Sequence, residues 1–534
     1  MTRRRGTDRP QSREVRQGWW RGPGRWPEGR PGRLRALCQT RRVNLSDTVR
    51  EHAGRRPDAV AVIEPAAPGS DRRETTWAQL EAAVADAAAL LTEWGLRAPQ
   101  RVLLHGENSL AMVVAHLACL RTGTVSTPVN PQATPAELRA TAELTGASLL
   151  LSDDPAGAGE VAGGLLDVRS LTDVLGTPTA PQTVAAPVDP EALAVLVQTS
   201  GSVRHPQVVM LSHRAVSTSV SSVARASGLD GSSVVLALLP FFHVFGLNAV
   251  LGTSLAAGAR LVVLPGLRPD LLDVIRAEGV TELPLTPTVM FRLLQLPGVD
   301  VGLRGLDRVL SAGAPLSTAL AREFARVTGV RVDQAYGLTE AAPGVCTTLG
   351  QPELISGAHV GVPLPGVEVR IGGVDDGGPG EVQVRGDHLF SGYWPDGHGA
   401  PGPDGWWSTG DLGYLADGQL FLAGRLREVV IVAGFNVYPS EVEEALMEHP
   451  AVHAAAVIGH GDEQTGESLV AFVSVAPGRS GLSVGELQRH VSARLARYKC
   501  PSEIYVLERM PRSITGKIRK QDLRDLVDAL EEEQ

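Results

Sequence analysis

Five short stretches of this chain carry residue types suited to phosphate and carboxylate chemistry. Near the C-terminus, Pro511-Arg512-Ser513-Ile514-Thr515-Gly516-Lys517 places a lysine in a Gly/Ser/Thr turn. A lone lysine in such a turn is usually solvated surface, but an extended ammonium can also meet a carboxylate and a phosphate together. Upstream lie Tyr336-Gly337-Leu338-Thr339-Glu340, Thr409-Gly410-Asp411, and Gly424-Arg425 running into Gly434-Phe435-Asn436-Val437-Tyr438-Pro439. An aspartate in a glycine turn is commonly only a turn former. The fifth stretch, Thr199-Ser200-Gly201-Ser202-Val203-Arg204-His205-Pro206-Gln207-Val208, offers hydroxyls and backbone N–H groups of the kind that cradle phosphates.

The order and spacing of these stretches resemble the adenylate-forming superfamily, which contains acyl-CoA synthetases, luciferases and peptide-synthetase adenylation domains. The resemblance spans roughly residues 44–525. It implies ATP, Mg2+ and coenzyme A as reactants or cofactors. Lys517 matches the C-terminal catalytic lysine, which stabilises charge as the acid attacks the α-phosphate. Glu340 matches the Mg2+ ligand, because that ion takes one or two carboxylates beside phosphate oxygens. Thr339 matches a hydrogen-bond donor to the α-phosphate, and Gly337 lets the backbone approach the nucleotide. Tyr336, Gln334 and the Ser311-Ala312-Gly313-Ala314-Pro315 turn match the adenine site. Asp411 matches the carboxylate that holds both ribose hydroxyls, supported by Arg425.

The phosphate loop departs from the family pattern, which reads Thr-Ser-Gly-Thr-Thr-Gly-x-Pro-Lys-Gly. Thr199, Ser200, Gly201, Ser202 and Pro206 are kept, whereas Val203 replaces a hydroxyl, Arg204 a glycine, Gln207 the lysine and Val208 a glycine. Two readings stay open. Arg204 takes over as a bidentate phosphate ligand, or pyrophosphate binding has decayed and the chain is a pseudo-ligase with a binding or scaffold role.

His243, in Pro240-Phe241-Phe242-His243-Val244-Phe245-Gly246, matches a gate or orienting position beside the acid. Val244, Phe245, Val289, Ala312, Gly313, Ala335 and Ala342 are candidates for the acid pocket. The aspartate that marks α-amino-acid activation is absent there, so the resemblance implies an apolar carboxylic acid, fatty or aryl. For the second half-reaction, Arg427 falls at the hinge position, and Gly434 with Phe435 matches the thiol tunnel. The implied activity is an AMP-forming acid–thiol ligase of the acyl-CoA synthetase kind. A carrier-protein thiol, an amine or another nitrogen nucleophile remains open as the acceptor.

The elements that must position these residues follow from pattern. Length allows about three domain-sized units. From 44 to about 350, apolar runs such as Arg101-Val-Leu-Leu-His105, Ala194–Val197, Val234–Leu239 and Leu261–Leu264 alternate with amphipathic helix-length stretches. One of these, 317–328, has Ser317 as N-cap and Gly329 beyond its end. The alternation predicts an α/β N-terminal domain of two subdomains with mainly parallel sheets. Beyond 358 a Gly-rich, strand-rich run predicts a compact, β-barrel-like unit. Residues 44–424 form the expected core, 425–428 the hinge, and 429–534 a small mobile α+β domain. In the last, Ser440 caps a helix to Met447, Ala454–Ile458 and Leu469–Val475 are strands, and 484–497 is a helix.

Net charge is −9, but residues 1–43 alone carry 13 Arg and three acids, leaving −19 for the remainder. That head is too poor in periodic apolar residues to fold, so it is expected to be a disordered basic extension. No nucleic-acid partner is expected, and no apolar run of the secretory kind follows the arginines. Residues 231–259 contain no Asp, Glu, Lys or Arg, yet Pro240, His243, Gly246, Asn248 and Gly252 interrupt them. A buried strand, turn and helix are expected there rather than a membrane span. Cys38, Cys119, Cys346 and Cys500 show neither zinc nor disulfide spacing, which suits a reducing cytoplasm. Monomer and homodimer stay equally open.

Overall fold

The computed structural model describes residues 44–162, 166–179, 184, 189–199, 207–351, 358–373, 379–432, 435–462, 466–475, 482–513 and 516–532. The basic head, positions 200–206 of the phosphate loop, Gly434 and Thr515 lie outside the described residues.

The first sheet has six strands in the order Asp167–Ser170, Leu149–Ser152, Arg101–His105, Val125–Val129, Leu193–Gln198, Val208–Ser212. All pairs are parallel except the last, an antiparallel hairpin whose connection is the phosphate loop. Leu149–Ser152 and Leu193–Gln198 are near-continuous apolar runs, as strands buried on both faces require, whereas the edge strand Asp167–Ser170 is polar and more exposed. Helix Leu110–Thr122 is buried on nearly every side, packed on strands Arg101–His105 and Val125–Val129 and against helix Trp77–Glu93. Ser109 caps its start, accepting from the Met112 N–H at 3.2 Å.

The second sheet carries six parallel strands at its centre: Val332–Gly337, Arg308–Ser311, Glu282–Leu285, Val234–Ala237, Arg260–Val263 and Val60–Glu64. The Gly-rich β unit is not separate from it. Gly344–Thr347, His359–Pro363, Gln419–Arg425, Trp406–Ala416, Gly380–Arg385 and Glu368–Gly372 continue the same sheet through antiparallel pairs. Thus Tyr336 and Asp411, 75 positions apart, sit on strands of one sheet.

The charge-free stretch is buried, as expected. Strand Val234–Ala237 leads through a turn to a π-helical segment, Phe245–Gly252, and helix Thr253–Ala257. A Cβ on Gly246 would lie 2.2 Å from the Pro240 carbonyl oxygen, so this turn folds back on itself at a glycine. Among the described residues, no helix is long and apolar enough to cross a membrane.

The small domain is a five-stranded sheet in the order Phe435–Val437, Val430–Val432, Gly466–Val475, Val452–Asp462, with Glu503–Leu507 parallel to Gly466–Val475. Helices Pro439–Met447, Val484–Ser492 and Lys520–Glu532 pack on it. Two sequence expectations need correction. Ser440 is not the N-cap: Pro439 opens that helix, and the Ser440 hydroxyl donates to the Ala423 carbonyl across the domain boundary. The helix expected over 484–497 ends at Ser492. A short turn, Leu426–Glu428, joins the two domains.

Candidate active site

A cleft of about 2680 Å³ lies where the domains meet. Its wall on the large domain begins with Asp411. That side chain is mostly buried, and each carboxylate oxygen has a partner. The Tyr336 hydroxyl donates to Oδ2 at 2.6 Å, and Arg425 Nε reaches Oδ1 at 3.2 Å. Asp411 and Arg425 are register partners on adjacent strands. Burial and the Asp411 carboxylate hold the Tyr336 phenol well above its ordinary pKa, so it stays a donor. A charge-assisted hydrogen bond of this kind fixes the carboxylate's orientation.

Glu340 lies on the turn Thr339–Ala341. Its Oε1 accepts from the Tyr393 hydroxyl at 2.7 Å, and its carbonyl accepts from the Phe390 N–H at 2.9 Å. One oxygen is thereby held in place. Among the described residues, no group of three His, Cys, Asp or Glu side chains is gathered to hold a metal. A lone, oriented carboxylate at a phosphate site fits Mg2+, which completes its shell with phosphate oxygens and water. Gly337 is required by the turn itself, since a Cβ there would lie 2.1 Å from the Pro343 carbonyl oxygen.

Lys517 enters the same cleft from the small domain. Its loop is seated on the large domain by the Thr288 hydroxyl, which donates to the Gly516 carbonyl at 3.2 Å. Arg512 donates to that carbonyl at 2.7 Å, and the Lys517 N–H donates to Ser513 Oγ at 3.2 Å. Beside it, Phe291 of the large domain packs on His453 of the small one, ring centroids 3.8 Å apart. Burial lowers the Lys517 pKa and Arg425 pushes the same way, while Asp411 and Glu340 oppose them.

His243 lines the cleft next to Val244, Phe245, Ala312, Gly313 and Ala335. Its Nδ1 accepts from the Phe245 N–H at 3.2 Å, so Nε2 carries the proton. Burial, with Lys517 nearby, pushes His243 down to about 4. It is therefore a neutral donor near pH 7. Thr199 and Gln207 close the base of the phosphate loop: the Thr199 N–H donates to the Gln207 carbonyl at 2.9 Å.

The cleft gathers Thr199, His243, Val244, Phe245, Ala312, Gly313, Ala314, Gln334, Ala335, Tyr336, Gly337, Thr339, Glu340, Asp411, Arg425, Arg427 and Lys517. Gln334 is buried and spends its side-chain amide N–H on the His359 carbonyl at 2.7 Å. Val289 and Ala342 are not in the lining. Val289 packs toward the core of the second sheet, and Ala342 is fully buried with its carbonyl accepting from Asn248. Phe435 also lies outside the cleft, stacked on Tyr498 with ring centroids 4.8 Å apart and 56% exposed. Ser200, Gly201, Ser202, Arg204 and Gly434 lie outside the described residues. Sequence reasoning missed Tyr393, whose partner Glu340 is 53 positions away; only the aromatic pair Tyr393-Trp394 beside Gly392 marked it.

Residues 49–394 match the AMP-binding enzyme family, and residues 441–517 match the AMP-binding enzyme C-terminal domain. The chain is 31% identical over 512 residues to 4-coumarate–CoA ligase 5 of Oryza sativa subsp. japonica, covering 90% of this chain and 94% of that protein. It is 30% identical over 514 residues to indoleacetate–CoA ligase of Aromatoleum aromaticum, covering 91% and 98%. Among solved structures, ATP-bound MatB from Rhodopseudomonas palustris superposes with a TM-score of 0.83 at 27% identity, covering 91% and 98%.

Proposed function

The chain belongs to the AMP-binding enzyme family as an AMP-forming acid–thiol ligase, and we propose that its interdomain cleft joins an apolar carboxylic acid to coenzyme A through an acyl-adenylate. The observation that carries this reading is the convergence of Lys517 from one domain with Glu340, Asp411 and Arg425 from the other.

In the first half-reaction the acid's carboxylate attacks the α-phosphate of ATP, the α–β phosphoanhydride bond breaks, and pyrophosphate leaves. Asp411, with both oxygens already oriented, accepts hydrogen bonds from the ribose hydroxyls, and Arg425 steadies it. Gln334, Tyr336, Gly313 and Ala314 frame the adenine. Thr339 donates to the α-phosphate. Glu340 would hold Mg2+, which supplies charge neutralisation to the phosphates when bound. Lys517 bridges the carboxylate and the α-phosphate, where charge develops. His243, neutral, points its Nε2 proton to orient the acid.

In the second half-reaction the thiol sulfur attacks the acyl carbon and AMP leaves. The small domain turns about Arg427 to bring Gly434 and Phe435 to the cleft. Phe435 lying exposed and outside the cleft while Lys517 occupies it supports that alternation. Coenzyme A is favoured over a carrier-protein thiol because both curated relatives named above are CoA ligases. The pocket around Val244, Phe245, Ala312 and Ala335 is apolar, and those relatives are named for 4-coumarate and indoleacetate. Cys119, Cys346 and Cys500 are free thiols, in keeping with a cytoplasmic enzyme.

The test is pyrophosphate release across a panel of aryl and fatty acids, with mass detection of acyl-AMP and then of thioester on adding CoA. Acid-dependent pyrophosphate and CoA-dependent thioester are expected. Release of no pyrophosphate with any acid would overturn the reading in favour of a binding protein.

A further inference from the structure

The segment between the domains is held at both ends. Arg425, the last residue of the large-domain strand that leads into it, is tied to Asp411 at 3.2 Å. Glu428, the segment's last residue, accepts from Lys520 Nζ of the small domain at 2.7 Å. The same ammonium lies 2.9 Å from Glu443 Oε1. Glu443 Oε1 in turn accepts from the Val457 N–H at 2.8 Å. Lys520 is 19% exposed, Glu428 29% and Glu443 21%, so the cluster is largely shielded from water. One ammonium thus gathers the end of the linker, helix Pro439–Met447, strand Val452–Asp462 and the start of helix Lys520–Glu532.

Only Leu426 and Arg427 lie between the two anchors. Leu426 is 52% exposed, and among the described residues Arg427 makes no hydrogen bond or salt bridge, although its charge acts on Tyr393. Lys520 also sits three residues after Lys517. A rotation that starts at Arg427 therefore reaches Lys517 through two stiff steps: the Glu428–Lys520 contact and the short stub from Lys520 back to Lys517. Burial inside this cluster strengthens the coupling, because charges screened from solvent hold their geometry more firmly. A 1 Å misplacement of a reacting group can cost about a hundredfold in rate.

We propose that Lys520 is a positioning residue: through Glu428 and Glu443 it confines the pivot to Leu426 and Arg427 and sets where Lys517 arrives in the cleft. This rests on the domain-rotation reading above.

The experiment compares full-length Lys520→Met, Lys520→Arg and the uncharged triple Lys520→Met/Glu428→Gln/Glu443→Gln. Lys520→Met alone leaves two carboxylates without a counter-charge and can fail to fold. The triple removes the charges together and keeps the test readable. For the folded triple, the expected result is a fall of about a hundredfold in kcat for acyl-AMP formation with KM for ATP and acid little changed. Lys520→Arg should recover most of the rate. Spin labels on Arg326→Cys and Arg489→Cys, both exposed and outside the cleft, report the interdomain distance. Wild-type protein should show two distance populations with acyl-AMP and CoA, and the triple a broad one. A folded triple that turns over at the wild-type rate with wild-type distances overturns the role of Lys520. A single distance population in wild type under all ligands overturns the rotation reading instead, whatever the triple does.

Discussion

The two faces of the cleft are built differently. On the large domain, each functional carboxylate is held by neighbours of its own domain: Asp411 by Tyr336 and Arg425, Glu340 by Tyr393. On the small domain, Lys517 sits on a loop whose seating depends on a contact across the boundary, from Thr288 to Gly516. The first face is pre-organised before any nucleotide arrives. The second depends on how the two domains meet. Groups that recognise ATP gain by being fixed, since no reorganisation is then needed on binding. On the proposed mechanism, the cation that stabilises the transition state is brought in and withdrawn, which frees the site for a second reaction.

The contrast can be broken most severely at Lys517. Lys517→Ala is expected to cut acyl-AMP formation by about two to three orders of magnitude, the size of losing one electrostatic stabiliser. Thioester formation from supplied acyl-AMP should change far less. Equal losses in both half-reactions, measured by rapid quench, would sink the assignment.

The phosphate loop sharpens the same contrast. If Arg204 supplies the charge that Gln207 lacks, Arg204→Ala should raise the apparent ATP constant by about tenfold or more, since a charge-assisted contact contributes about 1.5–3 kcal/mol. Acid binding should not move. If Arg204→Ala is silent and Gln207→Lys with Val208→Gly awakens activity that was absent, the loop is a lesion and the chain a decayed ligase.

A smaller effect is expected at Tyr393. Tyr393→Phe frees one oxygen of Glu340, so the Mg2+ concentration for half-maximal rate should rise by roughly severalfold, within the range of one hydrogen bond to a charged group. Saturating Mg2+ should restore the rate. A loss of kcat that Mg2+ does not rescue would assign Tyr393 some other task.

The smallest effect concerns the framework. Burial pushes His116 down to about 3 and His213 and His388 down to about 4. These values lie below the ordinary histidine pKa of 6.5, so the unfolded chain binds protons that the folded chain refuses. Their contribution is fully present above pH 6.5 and is lost as pH falls toward 4. Thermal melts should show Tm falling across that window, with a shallower slope in His388→Gln. An unchanged slope would remove His388 from the account.

Local features were the legible ones. Apolar runs marked the parallel strands, Ser317 and Gly329 bracketed helix Thr318–Thr328 as their chemistry demands, and the motif residues were readable because each sits in a short contiguous stretch whose order along the chain is itself the signal. Contacts between distant positions were not legible. Nothing in the spacing announced Tyr393 on Glu340, Tyr336 on Asp411, or Lys520 between Glu428 and Glu443, since each depends on how strands and helices are stacked. The Ser440 hydroxyl illustrates the competition. Its residue type favours a cap, but a carbonyl of the other domain was in reach and Pro439 had already opened the helix. Val289 and Ala342 failed for a related reason: on a helix or tight turn, a neighbour in sequence can face the opposite way from the cleft.

The distinction between a fixed recognition face and a delivered cation is tested most directly by calorimetric titration of Mg·ATP into wild-type and Lys517→Ala protein. Removing an interaction made only in the transition state lowers the rate without weakening ground-state binding. The two proteins should bind Mg·ATP within about threefold of one another while their adenylation rates differ by about two to three orders of magnitude. Binding that falls in parallel with the rate would contradict the account, because Lys517 would then belong to the recognition face.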